Sequence, residues 1–254
     1  MGLLPKEKST PRNKLTDYNI FLYGMPKIGK TTFASHFPDA VFLATEAGHH
    51  ALSVFKVDLA SWEDFLDACS ELAEGKHNFR NVVIDTVDNL WMLCRNHICA
   101  KNKIEHEADL KYGKGYALIL NEFARVLTKL SMLPFGLVLI SHVAVQELET
   151  RTGTIHKIVP SLPEKPRKMI LGMADMILFF DQDIARAEDG KQSIRRVVRT
   201  QPSPNYEAGD RTGRLPEIIE LDYNKFADAF SAATAEAPLE KSSPKSEQQK
   251  EIRQ

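Results

Sequence analysis

Lys30 and Thr31 close the run Gly24-Met-Pro-Lys-Ile-Gly-Lys-Thr31, which fits the phosphate-binding pattern G-x-x-x-x-G-K-[ST]. In such a loop the backbone N–H groups converge on phosphate oxygens, the lysine reaches the β- and γ-phosphates, and the hydroxyl binds Mg²⁺. Gly24 and Gly29 permit the tight turn. Met25, Pro26, Lys27 and Ile28 form its span, and Thr32 follows it into a helix whose N-terminal dipole favours anions. The expected ligand is a nucleoside triphosphate, ATP, with Mg²⁺. A second piece of that chemistry is Val82-Val-Ile-Asp85, where an apolar run delivers a carboxylate able to hold Mg²⁺ through water. Asp85 or Thr86 has another reading, as the N-cap of a following helix. Ser141 and His142 end a further apolar run. In a parallel sheet they would stand near the γ-phosphate, because ligands gather at strand carboxyl ends; the other reading is a capped strand end.

These residues need strands beneath them. Apolar runs at residues 20–23, 40–44, 82–85, 136–140 and 174–180 predict buried strands, with a short edge strand at 55–59. A helix is expected from Ser61, with Asp64 as its capping-box partner, inward-facing Trp62, Phe65, Leu66, Cys69 and Leu72, and an end near Gly75. Further helices are expected at 31–36, 87–100, 117–133 and 224–233, the one at 117–133 stopped by Pro134. Asp189-Gly190-Lys191 predicts a turn joining 174–180 to 193–199 as a late antiparallel hairpin. Residues 218–221 read as a last strand. Residues 143–168 read as irregular: three prolines exclude a long helix, and a loop of that length is usually functional or disordered. The alternation of strand and helix predicts an α/β fold, with a mostly parallel central sheet flanked by helices. The organisation is a polar N-terminal arm (1–17), one domain (18–233) and a polar tail (234–254) that cannot bury a core.

The chain has 254 residues, 43% of them hydrophobic, enough for one large domain. Lys and Arg number 33 against 34 Asp and Glu, a net charge of −1, so any basic surface must be local. Three cysteines argue against a disulfide scaffold and for a reducing, cytoplasmic setting. No apolar run approaches membrane-spanning length, and the first residues lack a signal-peptide core.

Two other groupings have chemistry in reach. Cys94, His97 and Cys99, with His106, invite a zinc reading, but Cys94 and Cys99 fall on different faces of a helix, so core thiols and an exposed histidine are the simpler account. Lys111, Tyr112, Lys114 and Tyr116, interleaved with glycine, suit a flexible contact to a nucleic acid strand, with rings stacking on bases and ammonium groups meeting phosphates. An ordinary surface turn is the alternative.

The phosphate loop, strand-end Glu46, Asp85, Ser141-His142 and a late strand rich in arginine resemble, in order, the core of RecA/KaiC-like ATPases. With the loop Asn205-Tyr-Glu-Ala-Gly-Asp-Arg-Thr-Gly-Arg-Leu-Pro216 they are similar to phage-encoded AAA-type ATPases of that kind, including the Sak-four single-strand-annealing recombinases. The resemblance spans residues 18–233 and implies a RecA-like P-loop NTPase core that hydrolyses ATP. It implies that Glu46 polarises the attacking water, and that Arg199, or Arg196, reaches a neighbouring protomer's γ-phosphate. It implies that residues 101–116 and 143–168 contact DNA, the latter through Lys157, Lys165, Arg167 and Lys168. The implied partners are single-stranded DNA and further copies in a ring or filament, and a single-strand-binding protein is left open. His142 stands where many relatives have an amide, and the resemblance does not extend to RecA's extra amino-terminal or acidic carboxyl-terminal domains. An ATP-gated loader with slow hydrolysis is a second reading. A small-molecule kinase with an arginine lid at 195–214 is a third.

Overall fold

The computed structural model describes residues 4, 7–151, 153–186 and 192–235. In chain order the elements are β1 (Asn19–Gly24), α1 (Lys30–Ala34), β2 (Ala40–Ala44), β3 (Phe55–Asp58), α2 (Trp62–Glu74), β4 (Asn81–Asp85), α3 (Val87–Lys101) and α4 (Lys114–Leu130). Then follow β5 (Gly136–Ser141), β6 (Val143–Thr150), β7 (Gly153–Pro160), α5 (Glu164–Met173), β8 (Met176–Arg186), β9 (Gln192–Arg199), β10 (Gly209–Asp210), β11 (Ile218–Glu220) and α6 (Tyr223–Ala235). The main sheet runs β11-β9-β8-β1-β5-β4-β2-β3, with β10 on β8. Pairings from β8 through β3 are parallel, and those of β9, β10 and β11 are antiparallel.

The five inner strands β8, β1, β5, β4 and β2 explain their own sequences. A parallel sheet covered on both faces needs near-continuous apolar strands. Residues 20–24 of β1 and all of β2, β4 and β5 are buried accordingly. Alternate side chains serve opposite layers. Phe21 faces Trp62, Phe65, Leu90, Trp91 and Phe123 beneath α2–α5. Its neighbours Ile20 and Leu22 face Phe33, Phe37, Phe180, Phe226 and Phe230 beneath α1 and α6. With β5 between the loop-bearing β1 and the Asp85-bearing β4, this is the RecA-like P-loop NTPase arrangement, and the late antiparallel hairpin is β8–β9. Its expected turn at 189–191 lies outside the described residues, as does the tail beyond residue 235. Among the described residues no helix is long and apolar enough to cross a membrane.

Local signals act as expected in α2. The Ser61 hydroxyl accepts from the Asp64 N–H, Asp64 accepts back from the Ser61 N–H, and Gly75 at φ 68° ends the helix. Residues 143–168 differ from expectation. They form an antiparallel hairpin, β6–β7, in register from Val143 opposite Pro160 to Thr150 opposite Gly153, followed by α5. The prolines punctuate this structure: Pro160 closes β7, Pro163 caps α5, and Pro166 sits in its first turn, where a missing N–H costs nothing. Residues 101–116 also carry some regular structure. They hold two short 3-10 turns, Glu107–Asp109 and Lys111–Gly113, and α4 starts at Lys114, earlier than expected. Gly115 is required there, since a Cβ would lie 2.2 Å from the Glu107 carbonyl oxygen.

Candidate active site

Four adjacent strands deliver the site at their carboxyl ends. β1 runs into the phosphate loop, where Gly29 adopts φ 119°, a conformation open to glycine, before α1 begins. Lys30 is 5% exposed. Its ammonium donates to the carbonyls of Gly24 (2.8 Å) and Met25 (3.0 Å), lying over the loop that phosphates would fill. Burial lowers its pKa below the ordinary lysine value, against the opposing charges of Asp85, Asp88 and Glu46. The Thr31 hydroxyl donates to Asp85 Oδ2 at 2.8 Å. Both are hard oxygen donors, one on the loop and one on β4, which is the set Mg²⁺ takes alongside phosphate oxygens and water. The residues therefore fit Mg²⁺ with a nucleoside triphosphate.

Glu46 follows β2, and its Oε1 accepts from the Thr86 hydroxyl (2.9 Å) and the Asn89 amide (3.1 Å) and lies 3.2 Å from His142 Nε2. These partners all meet Oε1, and none of them takes Oε2. Thr86 is the N-cap residue of α3, yet its hydroxyl serves Glu46 rather than capping the helix. Ser141 and His142 part company: the buried Ser141 hydroxyl donates to Asp88 Oδ1 at 2.9 Å, while the His142 ring meets Glu46.

Two residues carry weight that the sequence did not flag. Asp88, in the first turn of α3, also accepts from the His142 N–H (3.2 Å) and the Ser161 hydroxyl. It thereby ties the end of β5 to the return of the β6–β7 hairpin. Asp88→Ala removes the acceptor of three donors, of which the Ser141 hydroxyl is buried and keeps the His142 carbonyl at 3.1 Å, while Ser161 is exposed, so the loss is about 1–3 kcal/mol in all. A fall in urea-unfolding stability of that order is expected, and an unchanged midpoint would show that the tie carries no load. His49, 5% exposed, stands with Nε2 3.2 Å from Asp85 Oδ2 and its ring edge-on to Phe42. The only hint in the sequence is the pair His49-His50 just beyond Glu46. A cavity of about 320 Å³, lined in part by Glu46, His49, His50 and Lys56, opens beside these groups.

The arginines and the residues expected to touch DNA are distributed differently. Arg199 donates through Nε to Asp181 Oδ2 at 2.7 Å and lies over the Tyr206 ring at 5.6 Å. To reach a neighbouring protomer it must first leave Asp181. Arg196 instead donates to the carbonyl of Ile28 at 3.1 Å, against its own phosphate loop. Lys165 sits 5.4 Å from the centre of the Tyr116 ring, bringing the two proposed DNA segments side by side. Lys157 pairs with Glu207, Lys168 with Glu164, and Arg167 donates to Gln146. Lys111, Tyr112 and Lys114 are exposed, Tyr112 completely. The zinc grouping does not assemble: Cys94 is buried against Ile119, His97 meets Glu63, and no metal-holding cluster of His, Cys, Asp or Glu occurs among the described residues.

The fold and these groups define a P-loop nucleotide-binding protein of the RecA-like kind. More specifically, the chain belongs to the AAA_24 family, an AAA domain, whose model matches residues 16–212. No curated protein matches it. A similar solved structure is the flagellar accessory protein FlaH from Methanocaldococcus jannaschii, at 9% identity over 80% of this chain and 84% of that one, with a TM-score of 0.42. At that distance it adds nothing to what the sheet order establishes.

Proposed function

We propose that this chain is a Mg²⁺-dependent ATPase whose turnover is coupled to single-stranded DNA, in the manner of the phage recombination and annealing ATPases it resembles. The observation that carries the ATPase reading is the convergence of Lys30, Thr31, Asp85, Glu46 and His142 from β1, β4, β2 and β5. The loop amides and Lys30 bind the β- and γ-phosphates, and Thr31 and Asp85 hold the metal side. Bound Mg²⁺ would neutralise charge developing on the phosphates. Glu46, aimed by Thr86, Asn89 and His142, orients a water and can take its proton, and the cavity beside it admits that water. Arg199 would complete the site of a neighbouring copy in a ring or filament.

The DNA reading is supported by the resemblance and by exposed Tyr112 between Lys111 and Lys114, with Lys165 on the adjoining helix. The test is steady-state ATP hydrolysis with and without single-stranded DNA. Stimulation is expected. Tyr112→Ala should weaken DNA binding by about five- to a hundredfold, the value of one stacked base, while DNA-free turnover stays at the wild-type level. Hydrolysis indifferent to DNA would move the assignment to the ATP-gated loader. The segment that suggests a kinase lid, residues 195–214, is the end of β9 and the loop after it, with Arg195 on Asp183 and Arg199 on Asp181.

A further inference from the structure

The loop has a second flank. β5, β4 and β2 lie to one side of β1 and carry His142, Asp85 and Glu46, while β8 and β9 lie to the other, and β9 carries Arg196. On this second flank a cavity of about 210 Å³ opens between α1, β9 and the start of α6. Its lining includes Thr32, His36, Arg196, Leu221, Tyr223 and Asn224. Gly29 forms part of the wall, and a Cβ there would sit 3.3 Å from both the Arg196 guanidinium and the Leu221 side chain. Beyond Gly29 of the loop, and Arg196 as the alternative to Arg199, the hydrolytic chemistry uses none of these groups.

We propose that this cavity receives the nucleoside end of the triphosphate, with the base against Tyr223 and Leu221 and Arg196 standing where the ribose and α-phosphate leave the loop. This rests on reading the loop as a triphosphate site. Three observations carry it. The first is direction: Thr31, Asp85 and Glu46 fix the γ-end on one flank, so the rest of the ligand must leave by the other. The second is size: drug-sized ligands occupy about 300–1,000 Å³, so this cavity suits one ring system rather than a whole nucleotide, and the phosphates already have the loop. The third is chemistry. Tyr223 and His36 stack on each other, 20° from parallel with centroids at 6.0 Å, and both line the cavity with aromatic surface. Leu221 supplies an apolar floor, Asp222 and Asn224 offer polar groups at the rim, and Arg196 adds a cation held in place by the Ile28 carbonyl. A flat apolar surface with a few polar groups and one cation is what a nucleobase joined to a phosphate chain requires.

The experiment compares calorimetric affinities for Mg²⁺-ATP and Mg²⁺-tripolyphosphate, which carries the phosphates without the nucleoside. Wild type should bind ATP more tightly. Tyr223→Ala should weaken ATP by about tenfold, within the usual range for one stacked base, and leave tripolyphosphate unchanged. Lys30→Ala should weaken both. Because Tyr223 also packs on Phe33 and Phe37, the exposed His36→Ala is made in parallel, with a smaller loss in the same direction. If both ligands bind and neither variant changes their ratio, the subsite is wrong while the triphosphate site stands. If wild type binds neither ligand, the triphosphate reading fails and takes the subsite with it.

Discussion

Replacing Lys30 with alanine is expected to lower kcat/KM for ATP by about 10²–10³, the loss typical of removing one preorganised group aimed at developing charge. The ammonium is buried on the loop, satisfied by two backbone carbonyls rather than by a carboxylate. A buried cation without a direct ion partner costs stability. Its retention is explained by a ligand that brings negative charge to it. Burial lowers its pKa, and a triphosphate would reverse that by favouring the charged form. Alanine removes the charge and leaves the loop's turn intact, because the turn depends on Gly24 and Gly29. Gly24 has no room for a side chain, since a Cβ would lie 2.6 Å from the Phe180 carbonyl oxygen. The variant should therefore unfold at or above the wild-type urea concentration while losing ATP binding and turnover. Turnover at the wild-type rate would remove the phosphate loop from the mechanism altogether.

How much of this was legible depended on whether a signal was local. The phosphate loop is contiguous, and its two glycines, lysine and hydroxyl announce themselves at fixed spacing. Asp85 was legible because a strand buried on both faces writes an unbroken apolar run, and the first polar residue after it marks the carboxyl edge. The β6–β7 hairpin was not, because it stands off the main sheet as a separate two-stranded sheet and most of β7 is not buried. With no face turned steadily to a core, the period-two pattern has nothing to encode. Asp88 and His49 were hidden for a different reason. Asp88 meets Ser141 across 53 positions, through α3 and β5. His49 reaches Asp85 because β2 and β4 are neighbours in the sheet, which no window of sequence reveals. Arginine spacing along β9 likewise gave residue type without partner: Arg199 is claimed by Asp181, and Arg196 by the loop.

Glu46→Gln should separate ATP binding from ATP hydrolysis, with kcat falling by about 10²–10⁴, the range for loss of a positioned general base, and ATP affinity staying within about threefold of wild type. Oε1 is the oxygen that Thr86 and Asn89 meet, and His142 Nε2 lies against it. A glutamine carbonyl can keep those partners, so the side chain holds its place. The Nε2H₂ group then stands where Oε2 stood, offering hydrogens to a water that needs an acceptor. The flipped amide would set two donors against the Thr86 hydroxyl and the Asn89 amide, so it does not rescue the site. Single-turnover hydrolysis alongside equilibrium ATP binding reads the two effects apart. Loss of hydrolysis with binding intact places the base at Glu46 and yields a species arrested with ATP, in which DNA affinity and self-association can be measured without turnover. Unchanged hydrolysis would mean that the carboxylate is not the base. The slow, ATP-gated loader, which needs Lys30, Thr31 and Asp85 but not Glu46, would then be the better account of the site.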